Sequence, residues 1–253
     1  MRSLNIEDLK REIKKWIRQY IESANADGIV VGLSGGIDSA VTAFLSAEAI
    51  GKKNVIGVSL PCESSQKDIQ DAELVANTLG IEFLKINLKT TYESFLNATE
   101  SLIETNQLAR ANIKPRLRMT MLYFIGQSRG TYLVAGTGNR TEIAIGYFTK
   151  YGDGGVDFEP IGALYKCEVE SLATSLKVPD KIIERPPSAG LWEGQTDEEE
   201  IGIVYDLLDE IIYRLDYGLD LDEFDSKKVE KVKRMFEYSK HKRKMPPLFK
   251  IED

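Results

Sequence analysis

Apolar positions along this chain fall into two rhythms. Ile6, Leu9, Ile13, Trp16, Ile17, Tyr20 and Ile21 recur three and four residues apart, the spacing of one helix face. Asn5 stands just before them as an N-cap. A second rhythm follows. Residues 28–33 and the run from Val55 to Leu60 are short and continuously apolar, the second closed by Pro61. Runs of that length predict buried strands. Helices are predicted from Ser39 to Ile50 and from Asp68 to Leu79, where Gly80 stops the second. Ile81, Phe83, Lys85, Ile86 and Leu88 suggest a third strand, and 131–135 a fourth. Further helices are predicted over 91–106, 116–128, 141–147, 165–177, 197–215 and 223–240.

Strands alternate with helices through the first half, and helices dominate the rest. That order predicts an α/β fold, a doubly wound parallel sheet with a helical C-terminal part. Ligands in such sheets bind beyond the carboxyl ends of the strands. The loops from Ser34 to Ser39 and from Gly136 to Glu142 both leave such ends, so they are expected to face each other across one cleft.

The first loop carries the most chemistry. Residues 29–39 read Ile-Val-Val-Gly-Leu-Ser-Gly-Gly-Ile-Asp-Ser. A strand, a tight Gly-rich turn and a helix N-terminus form a phosphate cradle: free backbone N–H groups point at the anion, and the helix dipole favours its charge. Gly35 and Gly36 leave room for phosphate oxygens. Ser34 and Ser39 can each donate a hydroxyl. Asp38 beside a polyphosphate is repulsive unless a cation lies between them, which points to a Mg²⁺ ligand. The G-x-x-x-x-G-K loop is excluded for want of a lysine. Gly136-Thr-Gly138-Asn-Arg-Thr141 approaches G-x-G-x-x-G but ends in Thr.

Gly136-Thr-Gly-Asn-Arg-Thr-Glu142 follows the fourth strand. Thr137 offers a hydroxyl, and Glu142 opens the next helix. A carboxylate there is an ordinary helix cap; beside the first loop it is also the second carboxylate on the Mg²⁺ held by Asp38. Gly146-Tyr-Phe-Thr-Lys-Tyr-Gly-Asp-Gly-Gly-Val-Asp157 mixes glycines with Lys150, Asp153 and Asp157. Gly-rich polar stretches are usually mobile surface loops. Tyr147, Phe148, Tyr151 and Phe158 flank this one, which suits a flat heterocycle and a ribose.

Composition narrows the partners. The chain has 253 residues, 42% hydrophobic and 29% charged, as expected of a soluble globular protein. Its net charge of −7 argues against nucleic-acid binding, so a polyanionic substrate needs a local basic patch. No apolar run is long enough for a membrane, and the N-terminus lacks a signal-peptide core. The two cysteines, Cys62 and Cys167, offer neither a metal cluster nor a disulfide framework. A reducing cytoplasm is the expected location. The single histidine, His241, lies in a basic run from Lys240 to Lys244, so no Ser-His-Asp or Cys-His assembly is credible.

The loop S-G-G-x-D-S resembles the pyrophosphate loop of the ATP pyrophosphatases, whose fold is adenine nucleotide alpha-hydrolase-like. Together with Asn112-Ile-Lys-Pro-Arg-Leu-Arg118, Gly136–Glu142, Gly146–Asp157, Pro186-Pro-Ser-Ala-Gly-Leu-Trp-Glu-Gly-Gln-Thr-Asp197 and His241-Lys-Arg243, it resembles the ammonia-dependent NAD synthetases over most of the chain. The resemblance implies one synthetase domain over 1–253. It implies that Gly32, Leu33, Ser34, Gly35, Gly36, Ile37, Asp38 and Ser39 hold ATP phosphates, with Thr137, Lys166 and Ser188 also on ATP. Asp38 and Glu142 would bind Mg²⁺. Arg116, Lys150, Asp157, His241 and Lys242 match positions on deamido-NAD. Asp38, Lys150 and Lys166 are the expected catalytic groups. A homodimer is implied, with helices over 91–128 at its interface. Pro115 departs from the small residues common before Arg116. Asp197 to Glu200 keep the ordinary role of a helix N-terminal turn.

The chemistry implied is amidation of a carboxylate. The carboxylate attacks the α-phosphorus of ATP, pyrophosphate leaves, and ammonia then expels AMP from the mixed anhydride. Glutamine-dependent relatives carry a large extra amidase domain for which this chain is too short, so free ammonia is the expected donor. Two alternatives remain open: another pyrophosphate-loop enzyme, such as a tRNA-thiolating enzyme or GMP synthetase, and a non-catalytic nucleotide sensor. The cysteine count and the lack of a basic face count against thiolation. The aromatic loop counts against GMP synthetase, and the acidic pair against a sensor.

Overall fold

The computed structural model describes residues 1–99, 101–187, 197–249 and 251. Four parallel strands form its sheet: β1 (Gly28–Gly32), β2 (Val55–Ser59), β3 (Glu82–Lys85) and β4 (Tyr132–Ala135), in the order β3-β2-β1-β4. Ile29 of β1 pairs with Val55 on one side and Leu133 on the other. Parallel neighbours require crossovers, and helices supply them.

The helices are α1 (Ile6–Ser23), α2 (Ile37–Ile50), α3 (Gln66–Leu79), α4 (Lys89–Asn97), α5 (Gln107–Ala111), α6 (Ile113–Arg129), α7 (Arg140–Ile145), α8 (Lys166–Ser175), α9 (Asp180–Ile183), α10 (Asp197–Ile201), α11 (Tyr205–Tyr217) and α12 (Ser226–Tyr238). Asn5 caps α1 through the N–H groups of Glu7 and Asp8. Alternation along β1 divides the core. Ile29 and Val31 pack with α1, α2, α3 and α8, whereas Val30 packs with Tyr92 of α4 and Ile125 of α6. The sheet is therefore covered on both faces. A separate apolar cluster joins α7, α11 and α12 through Ala144, Leu208, Ile212 and Val232; it is the helical C-terminal part.

Three boundaries differ from the pattern in the sequence. The helix predicted over 91–106 stops at Asn97, and Asn106 caps a new one by accepting from the Ala109 N–H. The stretch 197–215 splits because Gly202 takes φ +69° between α10 and α11, a backbone angle that ends helices. The third strand spans only Glu82–Lys85, at the sheet edge. Cys62 is buried and Cys167 half-buried, and neither is bonded to the other.

Candidate active site

A cavity of about 530 Å³ opens beyond the ends of β1, β2 and β4. Gly32, Leu33, Ser34, Gly36 and Asp38 form one wall, and Gly136, Thr137 and Glu142 another. The two loops do meet across one cleft. Its position follows from topology: β1 has β2 on one side and β4 on the other, so chain connections leave in opposite directions there.

Gly36 caps α2 without a side chain, so no side chain occupies the first N–H groups of that helix. The Ser39 hydroxyl donates to the Gly36 carbonyl at 2.9 Å and lies 3.1 Å from the Ser34 hydroxyl. These bonds hold the turn while Ser34 and Gly36 face the cavity. Ile37 points into the core. Gly35 sits at φ +82° under the Arg185 guanidinium, whose Nη1 is 3.4 Å from its carbonyl.

Asp38 is the meeting point of three elements. Lys166, on the first turn of α8, reaches its Oδ2 at 2.5 Å. Asn139 donates to its Oδ1 at 2.9 Å. Glu142 lies across from it, in a capping box in which Asn139 and Glu142 satisfy each other's N–H groups. The helix-cap role of Glu142 is thus realised. Burial first, and then the Asp38 charge, push the Glu142 carboxyl well above the usual range; Lys166 pulls it back. Burial alone would lower the Lys166 ammonium, but Asp38 and Glu142 override it and hold lysine charged. Two carboxylates this close repel unless a cation separates them. Hard oxygen donors, one or two from protein, are what Mg²⁺ takes when phosphates and water complete its shell. The pair fits that ion. Among the described residues no third carboxylate, His or Cys joins them as a metal cluster.

Of the residues matched to deamido-NAD, only Lys242 is in the cavity wall; Arg116, Lys150 and His241 form a linked group next to it, and Asp157 stands apart. Lys150 Nζ donates to the His241 carbonyl at 2.9 Å, and Arg116 Nε to the Lys150 carbonyl at 3.4 Å. Lys242 lines the cavity and donates to the carbonyls of Gly146 and Phe148 at 2.7 and 2.6 Å. Burial lowers its ammonium. Asp157 is used otherwise. Its carboxylate accepts from the Tyr123 hydroxyl and the Val134 N–H at 3.0 and 2.7 Å, fastening the Gly-rich loop to β4. It is not among the cavity's lining residues. Ser188 lies outside the described residues.

Sequence reasoning missed Asn139, although it lies inside the second loop. It also left Asp197 as a helix turn only. Asp197 is in that turn, but it is buried, accepts from the Tyr205 hydroxyl and is close enough to raise the Glu142 carboxyl. An acidic residue followed by three more gives no sign of which one turns inward.

Sheet, cradle and acidic pair together define a nucleotide-binding protein on the adenine nucleotide alpha-hydrolase-like fold. The profile of the NAD synthase family matches residues 9–246. The chain belongs to that family. It is 45% identical over 252 residues to the NH(3)-dependent NAD(+) synthetase of Archaeoglobus fulgidus, covering 99% of each. Among solved structures, the NMN synthetase from Francisella tularensis superposes with a TM-score of 0.90 at 35% identity, over 98% of this chain and 100% of that one. The NH3-dependent NAD synthetase from Campylobacter jejuni gives 0.83 at 28%, over 98% and 100%.

Proposed function

We propose that this protein amidates deamido-NAD to NAD with free ammonia, at the expense of ATP cleaved to AMP and pyrophosphate. The convergence of Asp38, Glu142 and Lys166 at the mouth of the pyrophosphate loop is the observation that carries the reading. A carboxylate resists ammonia because its charge repels the nucleophile and oxide leaves poorly. Its oxygen attacks the α-phosphorus of ATP and pyrophosphate departs. Ammonia adds to the acyl carbon of the mixed anhydride, loses a proton, and AMP leaves with the bridging oxygen.

No protein nucleophile takes part; the work is positioning and charge neutralisation. The N–H groups of the Ser34–Asp38 turn hold the phosphates, with Thr137 beside them, and Ser188 keeps the ATP role that the sequence resemblance implies. Lys166, fixed by Asp38, faces the charge that develops on the departing pyrophosphate. Mg²⁺ held by Asp38 and Glu142 would supply further charge neutralisation on the phosphates. Arg116, Lys150, His241 and Lys242 form the dinucleotide end. Asp157 acts there by holding the loop that carries Lys150. The chain works as one unit over 1–253, in the cytoplasm. It pairs with a second copy through the region of α4 to α6, where Phe95, Leu108 and Phe124 are exposed. Among the described residues no helix is long and apolar enough to cross a membrane.

One observation favours a second substrate. The Francisella relative is named for NMN, and a mononucleotide carboxylate presents the same reacting group. The test is therefore a comparison. Purified protein with Mg-ATP and ammonium is given deamido-NAD or nicotinate mononucleotide, and the amide, AMP and pyrophosphate are followed. Faster turnover of the dinucleotide with AMP and pyrophosphate in equal amounts is expected. ADP and phosphate as products would contradict adenylation. Preference for the mononucleotide would reassign the substrate, and equal use of glutamine would remove the ammonia assignment.

A further inference from the structure

Arg118 lies on α6, two residues after Arg116, and the two side chains part company. Residues two apart on a helix point to nearly opposite sides. Arg116 is exposed, and its Nε donates to the Lys150 carbonyl. Arg118 turns inward and lines the cavity beside Leu60, Pro61, Ser64 and Asp68.

A guanidinium carries five N–H donors in a rigid fork. In Arg118 the Nε–H donates to the Leu60 carbonyl at the end of β2, at 3.1 Å. Among the described residues nothing accepts from Nη1 or Nη2, and no carboxylate is paired with them. Arg185, which also lines the cavity, is the contrast. Its Nη1 lies 3.2 Å from Asp71 Oδ2, its Nη2 bonds to Asp68, and its charge is matched. Burial pushes the Arg118 guanidinium below its ordinary range, against the weaker opposite pull of Cys62, Asp153 and Asp68. Arg118 is half-buried, and withdrawing an unmatched charge even partly from water is costly. Fixing it by one bond to backbone, with the rest of the fork open to a cavity, prepares it for an anion.

We propose that Arg118 is an anion-recognising residue of this site, taking two oxygens of a phosphate or carboxylate on one of the two nucleotide substrates. The proposal rests on the amidation reading above for the identity of those substrates. It adds a contact that the sequence resemblance places two residues away, on Arg116.

Binding measured one ligand at a time separates the sources. A non-hydrolysable ATP analogue with Mg²⁺, and separately deamido-NAD, are titrated by calorimetry into the full-length wild type, Arg118→Met and Arg118→Lys. One ligand is expected to weaken at least about tenfold in Arg118→Met, as loss of a charge-assisted pair does. Lysine keeps the charge without the fork, so Arg118→Lys should fall between. The ligand that weakens identifies the source of the anion. Unchanged affinity for both ligands overturns the proposal. So does an equal loss for both together with a lowered melting temperature, which is the mark of a merely structural arginine. If Arg118→Met does not fold, Arg118→Lys alone decides by the same selectivity. Wild-type turnover is recorded in parallel: its absence would sink the amidation reading, whereas turnover with indifferent variants sinks only the role of Arg118.

Discussion

The ammonium of Lys166 lies 2.5 Å from Oδ2 of Asp38, 128 residues away in the chain. Lysine is almost wholly buried, so its charge persists only because Asp38 and Glu142 face it. The contact fixes the carboxylate and the ammonium at once, beside the phosphate turn. Asp38→Ala should therefore lower NAD formation by roughly 10²–10³-fold or more, the scale of losing one main electrostatic group. Glu142 would still balance Lys166, so the fold should survive with a loss of about 1–3 kcal/mol. Turnover and circular dichroism melting check both. A variant running near the wild-type rate at ordinary Mg²⁺ would remove Asp38 from the metal.

The role proposed for Lys150 distinguishes the two nucleotides. Its ammonium bonds to the His241 carbonyl and lies 5.2 Å from the Tyr151 ring centroid, well along the chain from the phosphate turn. Lys150→Ala should raise the KM for deamido-NAD by about tenfold while changing that for ATP less than twofold, since a charged hydrogen bond contributes about 1.5–3 kcal/mol. Steady-state kinetics with each substrate varied in turn would decide. Equal losses for both would mean that Lys150 acts on the fold or on the reaction step, not on the dinucleotide.

The parts legible in the sequence are those with local causes. The parallel sheet and the phosphate turn follow from apolar runs ended by glycines, and Asn5 from a capping pattern. Resemblance named Lys166, but no local feature told that it is buried on Asp38. That contact depends on α8 packing against α2. Asp157 shows the opposite. As one acid in a Gly-rich loop it looked ready for a ligand, yet Tyr123 and the Val134 N–H occupy it. Arg118 could not be told from Arg116 in the segment Arg-Leu-Arg, because only the rotation of α6 decides which one faces the cavity. The breaks at Asn97 and Gly202 were legible in weak helix formers, Asn97, Thr99 and Ser101 at one and Gly202 at the other, but the spacing of apolar residues runs past both.

Gly35 is where the phosphate turn has least tolerance. At φ +82° an L side chain is strained, and a Cβ there would lie 2.6 Å from the Asp68 carbonyl oxygen and 3.0 Å from Asp71 Cβ. Backbone cannot yield as a flexible side chain can. Gly35→Ala should cost about 1–3 kcal/mol of stability and weaken ATP binding more than deamido-NAD binding, because the displaced segment carries the N–H groups proposed to hold the phosphates. Melting temperature and separate titrations test this. A variant as stable as wild type with unaltered ATP affinity would show that the turn relaxes freely.

Glu159 gives the fold a pH dependence. Its Oε2 accepts from the Gly138 N–H at 3.1 Å, and it fills the space that side chains at Gly136 and Gly138 would need. Burial pushes its carboxyl from about 4.5 up to about 8; the Gly138 N–H pulls the other way, and Asp153 adds to the rise. Between those values the native protein holds a proton that the unfolded chain has released. Stability therefore falls as pH climbs from about 5 to about 8, by on the order of 3–5 kcal/mol from this group. Glu159→Gln keeps an oxygen for Gly138 but cannot ionise. Its stability should fall less over the same window. Glu142, Asp209 and Glu170 are also raised and tilt both proteins alike, whereas Asp153, raised too, interacts with Glu159, so the difference between the two urea-unfolding curves reads Glu159 together with that interaction. Parallel curves would mean that Glu159 is already ionised in the native protein at neutral pH.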